Sequence, residues 1–334
     1  MPRPFYSLSN RGQARRLRAL AFEALKLYDL PVDRLRLITN SFNGIFRVDT
    51  RDGRKLVLRV TWPEGGHSRE GTCAEMAWLD ALSRQTSLRV PRPAAARSGE
   101  LVVEAAADGV PQPRLVTIFS WVDGINLAER PNEKNLERLG YLMAQLHLHA
   151  ANFSPPCGAS LPRFDRVFPF PEPVVLFEPR FAQLFPPERR TVYEKAVRWA
   201  QGAIERLQGS GEPMRILHGD LHQWNVRVRG GVLAPIDFED LMWGWPAQDI
   251  ATSLYYFQGE HFEETWSAFK TGYTRHSPWP ERYAGEIEAF IAARALMLVN
   301  FALQDPNVYW QEEAPRFVEK NEQRLRALFS RAGI

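Results

Sequence analysis

The chain has 334 residues, of which 45% are hydrophobic and 24% are charged, an ordinary composition for a globular protein. Its 42 basic and 39 acidic residues give a net charge of +3 and are spread along the sequence, so we expect no nucleic-acid partner and no membrane partner. This length exceeds what a single hydrophobic core usually organises, and it therefore predicts two lobes.

The N-terminus and the cysteines favour a cytoplasmic protein. Residues 1–25 are basic and amphipathic, which can resemble an organellar transit peptide, but they lack the continuous apolar run of a secretion signal. A helix packed on the first lobe explains them more simply. Cys73 and Cys157 belong to no paired ligand motif, so we expect both to be reduced thiols.

Short β-type runs separated by turn signals dominate the chain up to residue 119. Apolar residues at helical spacing predict an extra helix at 11–28 and a main helix at 68–83. Strands are predicted at 35–39, 45–50, 55–60, 100–105 and 114–119. This order predicts a first lobe, residues 1–119, with a small antiparallel sheet and one main helix laid on it.

Helical periodicity dominates after a short connector at 120–124, which indicates a second, mostly helical lobe at 125–334. The proline-rich stretch 154–187 is too broken for long helices and too apolar for a disordered linker, so we expect an ordered insertion on this lobe. Helices are predicted at 133–151, 188–208, 262–273, 281–303 and 315–331.

The stretch HGDLHQWNV, residues 218–226, allows two interpretations. Two histidines four apart bind zinc when a helix presents both rings on one face. The flanks argue against a helix, because 214–217 and 225–228 are strand-like and Gly219 is a poor helix residue. We therefore expect a loop, followed by a hairpin that brings Asp237 back beside Asn225, as in a phosphoryl-transfer site.

The two motifs HGDLHQWNV and IDFED resemble those of the aminoglycoside phosphotransferase/choline kinase family, which carries His-Gly-Asp-x-x-x-x-Asn and then Ile-Asp-Phe/Trp-Glu/Asp. The resemblance runs from roughly 35 to 300 and is much looser outside 214–252. It implies an α+β, bilobal protein-kinase-like fold and a kinase that uses ATP and Mg²⁺. By position, Asp220 is the expected catalytic base, Asn225 and Asp237 are the expected metal ligands, and His218 and Asp249 are expected to support the loop.

The resemblance also assigns a nucleotide side to the first lobe. Residues 40–44 lie where the family places a loop over the phosphates, and Ser41, Asn43 and Gly44 are the candidate donors there, although an ordinary β-turn also explains them. Arg59 occupies the position of the family's lysine and keeps its charge. Glu75 is expected to pair with Arg59, unless it is an ordinary exposed helix residue.

The connector and the acceptor side are less specific. The main chain of Ser120 and Val122 matches the hinge that binds adenine in the family. Glu239 and Asp240 are candidates for a second metal or for the substrate, or are simply solvated. His222 is expected to be an exposed loop residue. The aromatic runs at 241–245 and 253–257 could cage a cationic amine, although core packing explains most of them.

The predicted function is phosphoryl transfer to a hydroxyl of a small molecule, such as an aminoglycoside, choline, homoserine or a sugar-like compound. A serine/threonine protein kinase is an alternative, disfavoured because nothing like Ala-Pro-Glu follows Asp237. A catalytically weak nucleotide-binding pseudo-kinase is a second alternative, because Arg59 replaces the usual lysine. The chain fits either a monomer or a homodimer.

Overall fold

A computed structural model describes residues 3–63, 68–156, 160–305 and 308–334. For residues 308–311 it describes the main chain alone. The prediction for Cys157 lies outside the described residues. The chain divides into two compact units. The first contains Met1–Ile125, Ser154–Ser160 and Arg227–Glu239, and the second contains Asn126–Phe153, Leu161–Val226 and Asp240–Ile334.

Within the described residues, six of the ten strands lie before residue 127, and six of the eight α-helices follow it. The strands are β1 (Val32–Asn40), β2 (Gly44–Thr50), β3 (Lys55–Val60), β4 (Val102–Ala105), β5 (Arg114–Ser120), β6 (Ile125–Asn126), β7 (Arg215–Leu217), β8 (Val226–Arg229), β9 (Val232–Pro235) and β10 (Met242–Gly244). The helices are α1 (Asn10–Leu25), α2 (Arg69–Gln85), α3 (Glu133–Ala150), α4 (Pro187–Gly209), α5 (Pro246–Tyr255), α6 (Phe262–Thr274), α7 (Glu286–Gln304) and α8 (Val308–Ala332).

The first unit is built on an antiparallel five-stranded sheet with the order β1-β2-β3-β5-β4. Side chains alternate across a strand, so Leu58 of β3 enters the core that α1 lines with Leu17 and Leu20. Arg59 consequently faces the other side of β3, where it meets Glu75 of α2. The predicted sheet and its two helices are confirmed.

The second unit is mostly helical, with β7 and β10 pairing as a short antiparallel ribbon. Its helices α3 and α6 approach so closely that a Cβ on Gly140 would lie 1.9 Å from the main-chain oxygen of Phe269. The helix α7 is buried along most of its length. Within the described residues, no helix combines the length and the apolar character that a membrane span requires.

The proline-rich stretch forms no long helix and no strand in its described part. A 3₁₀ helix covers Pro179–Leu184, and the Val175 N–H donates to Asn300 Oδ1 of α7 at 2.7 Å. Residues Ser154–Ser160 belong to the first unit, as does the hairpin of β8 and β9. The two units therefore differ from the predicted lobes in these two segments.

Three helical features differ from the prediction. The helix α5 was not predicted; it has only ten residues, and its polar residues are buried together with its apolar ones. The helix α7 begins only at Glu286, after Gly285 adopts a left-handed φ of 88°. The helix α8 begins at Val308 and continues through Pro315, which we expected to start it.

Candidate active site

Residues 218–225 form a loop between β7 and β8, not a helix. Gly219 has a φ of 80°, and a Cβ at this position would lie 2.1 Å from the main-chain oxygen of Asp240. Glycine is therefore required for the loop to turn here. His218 and His222 do not share a helix face, so the structure lacks the geometry on which the zinc interpretation depends. Among the described residues, no three or more His, Cys, Asp or Glu side chains form a group that could hold a metal ion.

A buried carboxylate from α5 holds the start of this loop. Asp249 accepts the main-chain N–H of His218 at 3.1 Å and that of Gly219 at 3.0 Å. His147 Nε2 lies 3.2 Å from the same carboxylate, and its Nδ1 lies 2.9 Å from the Tyr273 hydroxyl. Burial raises the pKa of Asp249, but His147, the charge of His218 and the Gly219 N–H together hold that pKa below its usual value. The expected contact of Asp249 with the loop is present.

Asp220 is surrounded by three side-chain donors of the second unit. Its Oδ1 accepts from Arg294 Nη2, and its Oδ2 accepts from Asn225 Nδ2 at 3.1 Å and lies 3.3 Å from His222 Nε2. Burial raises the pKa of Asp220, but the charge of Arg294 and the contact with His222 outweigh it and lower that pKa. The Asp220 side chain remains 17% exposed as an ionised carboxylate. Arg294 was not predicted.

His222 is a structural part of the loop, so the prediction of an exposed residue without a task is wrong. Its side chain is only 16% exposed. Its Nδ1 accepts the main-chain N–H groups of Trp224 and Asn225 at 3.3 and 3.2 Å, which leaves the proton of the neutral ring on Nε2, facing Asp220. The ring also packs 4.8 Å from that of Tyr256. His222 thus fixes both the loop turn and the Asp220 carboxylate.

Asn225 is nearly buried, and its amide orientation is set by its neighbours. Its Nδ2 donates both to the Asp220 carboxylate and to the Asp220 main-chain oxygen at 3.0 Å. Only the amide nitrogen can make these two bonds, so the assignment of nitrogen and oxygen is unambiguous. Within the described residues the Asn225 Oδ1 makes no hydrogen bond, and it is left as a hard oxygen ligand.

In the first unit, Arg59 and Glu75 form a closed ion pair. Arg59 Nη1 donates to Glu75 Oε1 at 2.9 Å, Nη2 donates to Oε2, and both side chains are 4% exposed. Burial lowers the pKa of Arg59, but Glu75, Glu239 and Asp237 outweigh burial and raise it. The predicted pairing is confirmed, and the alternative of an exposed Glu75 is wrong.

The turn after β1 is tied to the same arginine. The Asn43 side chain is buried, its Nδ2 donates to Glu239 and its Oδ1 accepts the Trp62 N–H at 2.9 Å. Glu239 also lies 3.4 Å from Arg59 Nη1. Both ends of the Asn43 amide are therefore committed to the protein. Asn43 holds the turn and is not a free donor for a phosphate, contrary to our expectation.

The other two predicted residues of this turn differ in exposure. Ser41 is exposed, and its Oγ lies 3.0 Å from Thr39 Oγ1. Gly44 is buried, pairs with Asn40 across the turn and would place a Cβ 3.2 Å from Leu17 Cδ1. The ordinary β-turn that we considered describes this segment, with Ser41 as its exposed hydroxyl.

The two residues predicted to contact adenine, Ser120 and Val122, differ in how their main chain is used. The Ser120 N–H donates to the Arg92 oxygen at 2.8 Å, and the Trp121 N–H donates to the Lys55 oxygen at 2.9 Å. Both N–H groups are thus occupied. Within the described residues the main chain of Val122 makes no hydrogen bond. Val122 remains the candidate for an adenine contact, whereas the Ser120 N–H is already used.

The hairpin of β8 and β9 ends at a strained residue. Asp237 has a φ of 65°, the one non-glycine residue with a left-handed conformation within the described chain. Such a conformation costs about 1–3 kcal/mol and is concentrated at functional sites. The next residue, Phe238, is buried and packs against Trp78 of α2 with ring centroids 5.6 Å apart. This packing fixes the backbone that presents the Asp237 carboxylate.

Comparison with known proteins agrees with this geometry. The sequence matches the model of the "Phosphotransferase enzyme family" (APH) over residues 35–285. This chain belongs to that family. A curated relative, an uncharacterized protein of Deinococcus radiodurans, is 29% identical over 287 residues, which cover 83% of this chain and 79% of the relative.

Solved structures show the same fold at low identity. A microcompartment-associated aminopropanol kinase superposes with a TM-score of 0.76 at 20% identity and covers 94% of this chain and 98% of its own. The amicoumacin kinase hAmiN, in complex with AMP-PNP, Ca²⁺ and Ami, has a TM-score of 0.71 at 18% identity, with 95% and 96% covered. A spectinomycin phosphotransferase has a TM-score of 0.62 at 14% identity, with 93% and 98% covered. The protein-kinase-like fold is confirmed, and the protein is a phosphotransferase.

The aromatic runs at 241–245 and 253–257 lie only in part in the core. Trp245 and Tyr255 are at most 3% exposed, so core packing accounts for them. Trp243, Tyr256 and Phe257 are half-buried, and an aromatic cage for a cationic amine stays a prediction. Burial lowers the pKa of the Arg294 guanidinium. The charge of Asp240 acts in the opposite direction and is one of the causes that raise this pKa above its usual value.

Proposed function

We propose that this phosphotransferase transfers the γ-phosphoryl group of ATP to a hydroxyl of a small molecule, with Mg²⁺ bound to the nucleotide. The observation that carries the proposal is the environment of Asp220. Its carboxylate is ionised, partly exposed and oriented by Arg294, Asn225 and His222. A fixed carboxylate that can still be reached is what a proton acceptor for an attacking hydroxyl requires.

In the proposed reaction the acceptor oxygen forms a bond to the γ-phosphorus. The bond between that phosphorus and the bridging oxygen of ADP breaks, ADP leaves with the electron pair, and the hydroxyl proton passes to Asp220. The low pKa of Asp220 suits this role, because little proton transfer is needed before the largely dissociative transition state is reached. Positioning of the acceptor hydroxyl is then the main task of the loop.

The residues present fit a magnesium ion. The Asn225 Oδ1 and the Asp237 carboxylate are hard oxygen ligands, which we propose as its protein ligands. Mg²⁺ usually keeps several waters and takes only one or two protein ligands beside the substrate phosphates, so no dedicated cage of acidic residues is needed. When bound, the ion would neutralise charge on the transferring phosphate.

On the nucleotide side we propose that Arg59, held by Glu75, takes the place of a lysine. Its Nε is buried and makes no hydrogen bond within the described residues. We further propose that the turn at Ser41 and Gly44 covers the phosphates with its main chain, and that Val122 contacts adenine. Glu239 then acts through Asn43 and Arg59, as a support for this side of the site.

The proposed acceptor is a small alcohol. Support comes from the structural relatives, which are an aminopropanol kinase, an amicoumacin kinase and a spectinomycin phosphotransferase. Choline, homoserine and sugar-like alcohols remain in the proposed set.

ATP consumption with Mg²⁺ should be measured across 1-amino-2-propanol, choline, homoserine, spectinomycin and a generic protein substrate. We expect a small alcohol to stimulate it, and Asp220→Asn to lower kcat by about 100-fold or more while ATP still raises the Tm. Asp165→Asn is the matched control, because Asp165 is likewise a partly exposed carboxylate of the second unit that pairs with arginine, here Arg163 and Arg166. Parent-like turnover by Asp220→Asn, or stimulation by the protein substrate alone, would contradict the proposal.

A further inference from the structure

Arg294 is the only basic residue of α7 and lies in an otherwise apolar stretch of that helix. A charged side chain at such a position is retained only with a partner, because burying an unpaired charge is costly. Its Nη2 donates to Asp220 Oδ1 and to the Tyr256 hydroxyl, the latter at 2.9 Å. Arg294 lies beyond residues 35–285, over which the family model matches.

Tyr256 holds the arginine in place. The Arg294 guanidinium lies 5.7 Å from the centroid of the Tyr256 ring, so the ring face and the hydroxyl both contact it. The same ring packs edge-on against His222 at 4.8 Å and against Trp224 at 5.6 Å. Tyr256 therefore contacts both Arg294 and the loop that carries Asp220, and these contacts hold the guanidinium beside the carboxylate.

The contacts distinguish the two oxygens of the Asp220 carboxylate. Oδ2 faces two donors, Asn225 Nδ2 at 3.1 Å and His222 Nε2 at 3.3 Å, which use both of its lone pairs. Oδ1 accepts only from Arg294 and keeps one lone pair. A hydroxyl that approaches Asp220 can therefore form a good hydrogen bond only with Oδ1, on the side of the arginine.

We propose that Arg294 is a positioning residue, which fixes the Asp220 carboxylate so that the remaining lone pair of Oδ1 receives the acceptor hydroxyl. This inference rests on the proposed function, in which Asp220 accepts the hydroxyl proton. The torsion that rotates a carboxylate is soft, so without Arg294 the carboxylate can tilt about the oxygen that Asn225 and His222 hold, and Oδ1 is displaced. A misplacement of about 1 Å at a reacting group lowers the rate by about 100-fold.

The test compares Arg294→Met and Arg294→Lys with the control Arg331→Met. Arg331 is also an arginine paired with a carboxylate of α7, with its Nε 2.8 Å from Glu288, but it does not touch Asp220. The assay is Mg²⁺-dependent ATP consumption with 1-amino-2-propanol, choline, homoserine or spectinomycin as the acceptor. We expect Arg294→Met to lower kcat by about 100-fold with the KM for ATP unchanged, and Arg294→Lys to recover about tenfold of that loss.

The combination with Asp220→Asn separates positioning from general destabilisation. We expect Arg294→Met to cause no further loss of kcat once Asp220 is replaced, and Arg331→Met to change the Tm but not kcat. The proposal is overturned if Arg294→Met keeps the parent kcat, or if its loss multiplies with that of Asp220→Asn. It is also overturned if Arg331→Met lowers kcat as strongly.

A second measurement does not depend on turnover. If the parent consumes no ATP with any of these acceptors, the proposed function fails, and the Tm values of the parent, the two single variants and the double variant then decide the inference. A Tm loss in the double variant that is smaller than the sum of the single losses supports the Arg294–Asp220 coupling. Additive losses show that the two side chains are independent and overturn it.

Discussion

In each unit of this phosphotransferase an arginine faces a carboxylate at the candidate site, and the two pairs differ in which other groups contact the carboxylate. In the first unit, both oxygens of Glu75 are bonded to Arg59, and both side chains are 4% exposed. In the second, Asp220 gives Arg294 one oxygen, shares the other with Asn225 and His222, and stays 17% exposed. The closed pair leaves Glu75 no oxygen for a ligand, whereas the open pair leaves Asp220 one lone pair for a ligand.

The largest effect on stability should come from breaking the closed pair. Glu75→Gln leaves the buried Arg59 guanidinium with only the longer contact to Glu239, at 3.4 Å, and we expect a loss of about 3–5 kcal/mol in the free energy of unfolding. Chemical denaturation would measure it. Glu194→Gln, which breaks the exposed pair with Arg190, should lose less than about 1 kcal/mol. Equal losses in the two variants would show that burial of the Arg59–Glu75 pair has no energetic consequence.

A second variant tests how tightly the loop that carries Asp220 packs against its neighbours. Gly219→Ala forces a left-handed φ on alanine and places a Cβ 2.1 Å from the Asp240 main-chain oxygen, so we expect a loss of about 2–3 kcal/mol and reduced ATP turnover. Gly53→Ala is the matched control, because Gly53 has a φ of 83° with no atom within 4 Å of the added Cβ. It should lose only about 1–2 kcal/mol, with turnover unchanged. Identical behaviour of the two variants would mean that the contact with Asp240 relaxes freely.

The sequence predicted the parts of these two regions that depend on local pattern. Period-two alternation gave β2 and β3, and hence the central place of Arg59 in the sheet. The spacing from Asp220 to Asn225 and on to Asp237 indicated the reaction type. The helix α5 was missed because ten residues are a short window for helical periodicity, and its burial on every side depends on tertiary packing.

Two partners of Asp220, His222 and Asn225, are close in sequence, but the third could not be predicted, because it depends on a tertiary contact between residues distant in sequence. Arg294 is 74 positions from Asp220, and Tyr256 is 38 positions from Arg294. One signal was present in the sequence. A single arginine among alanines and leucines in α7 predicts a buried charge, and a buried charge requires a partner. The identity of that partner becomes visible only in the fold.

The smallest expected effect is the pH dependence of the stability that Asp249 contributes by holding the loop. The folded protein holds the pKa of Asp249 below its usual value, through His147 and the loop N–H groups and against the effect of burial. A lowered pKa in the folded state contributes stability above the unfolded pKa of about 3.9, and that contribution is lost as the pH falls through the folded value. Asp249→Asn removes the charge, and its amide nitrogen cannot accept an N–H, so the variant can hold only one of the two N–H groups of His218 and Gly219. We expect this variant to be about 1–3 kcal/mol less stable than the parent at neutral pH.

The difference in the free energy of unfolding between this variant and the parent should narrow as the pH falls below about 4. Unfolding curves over that pH range measure it, and a difference that stays constant would show that the Asp249 carboxylate does not titrate with the loop.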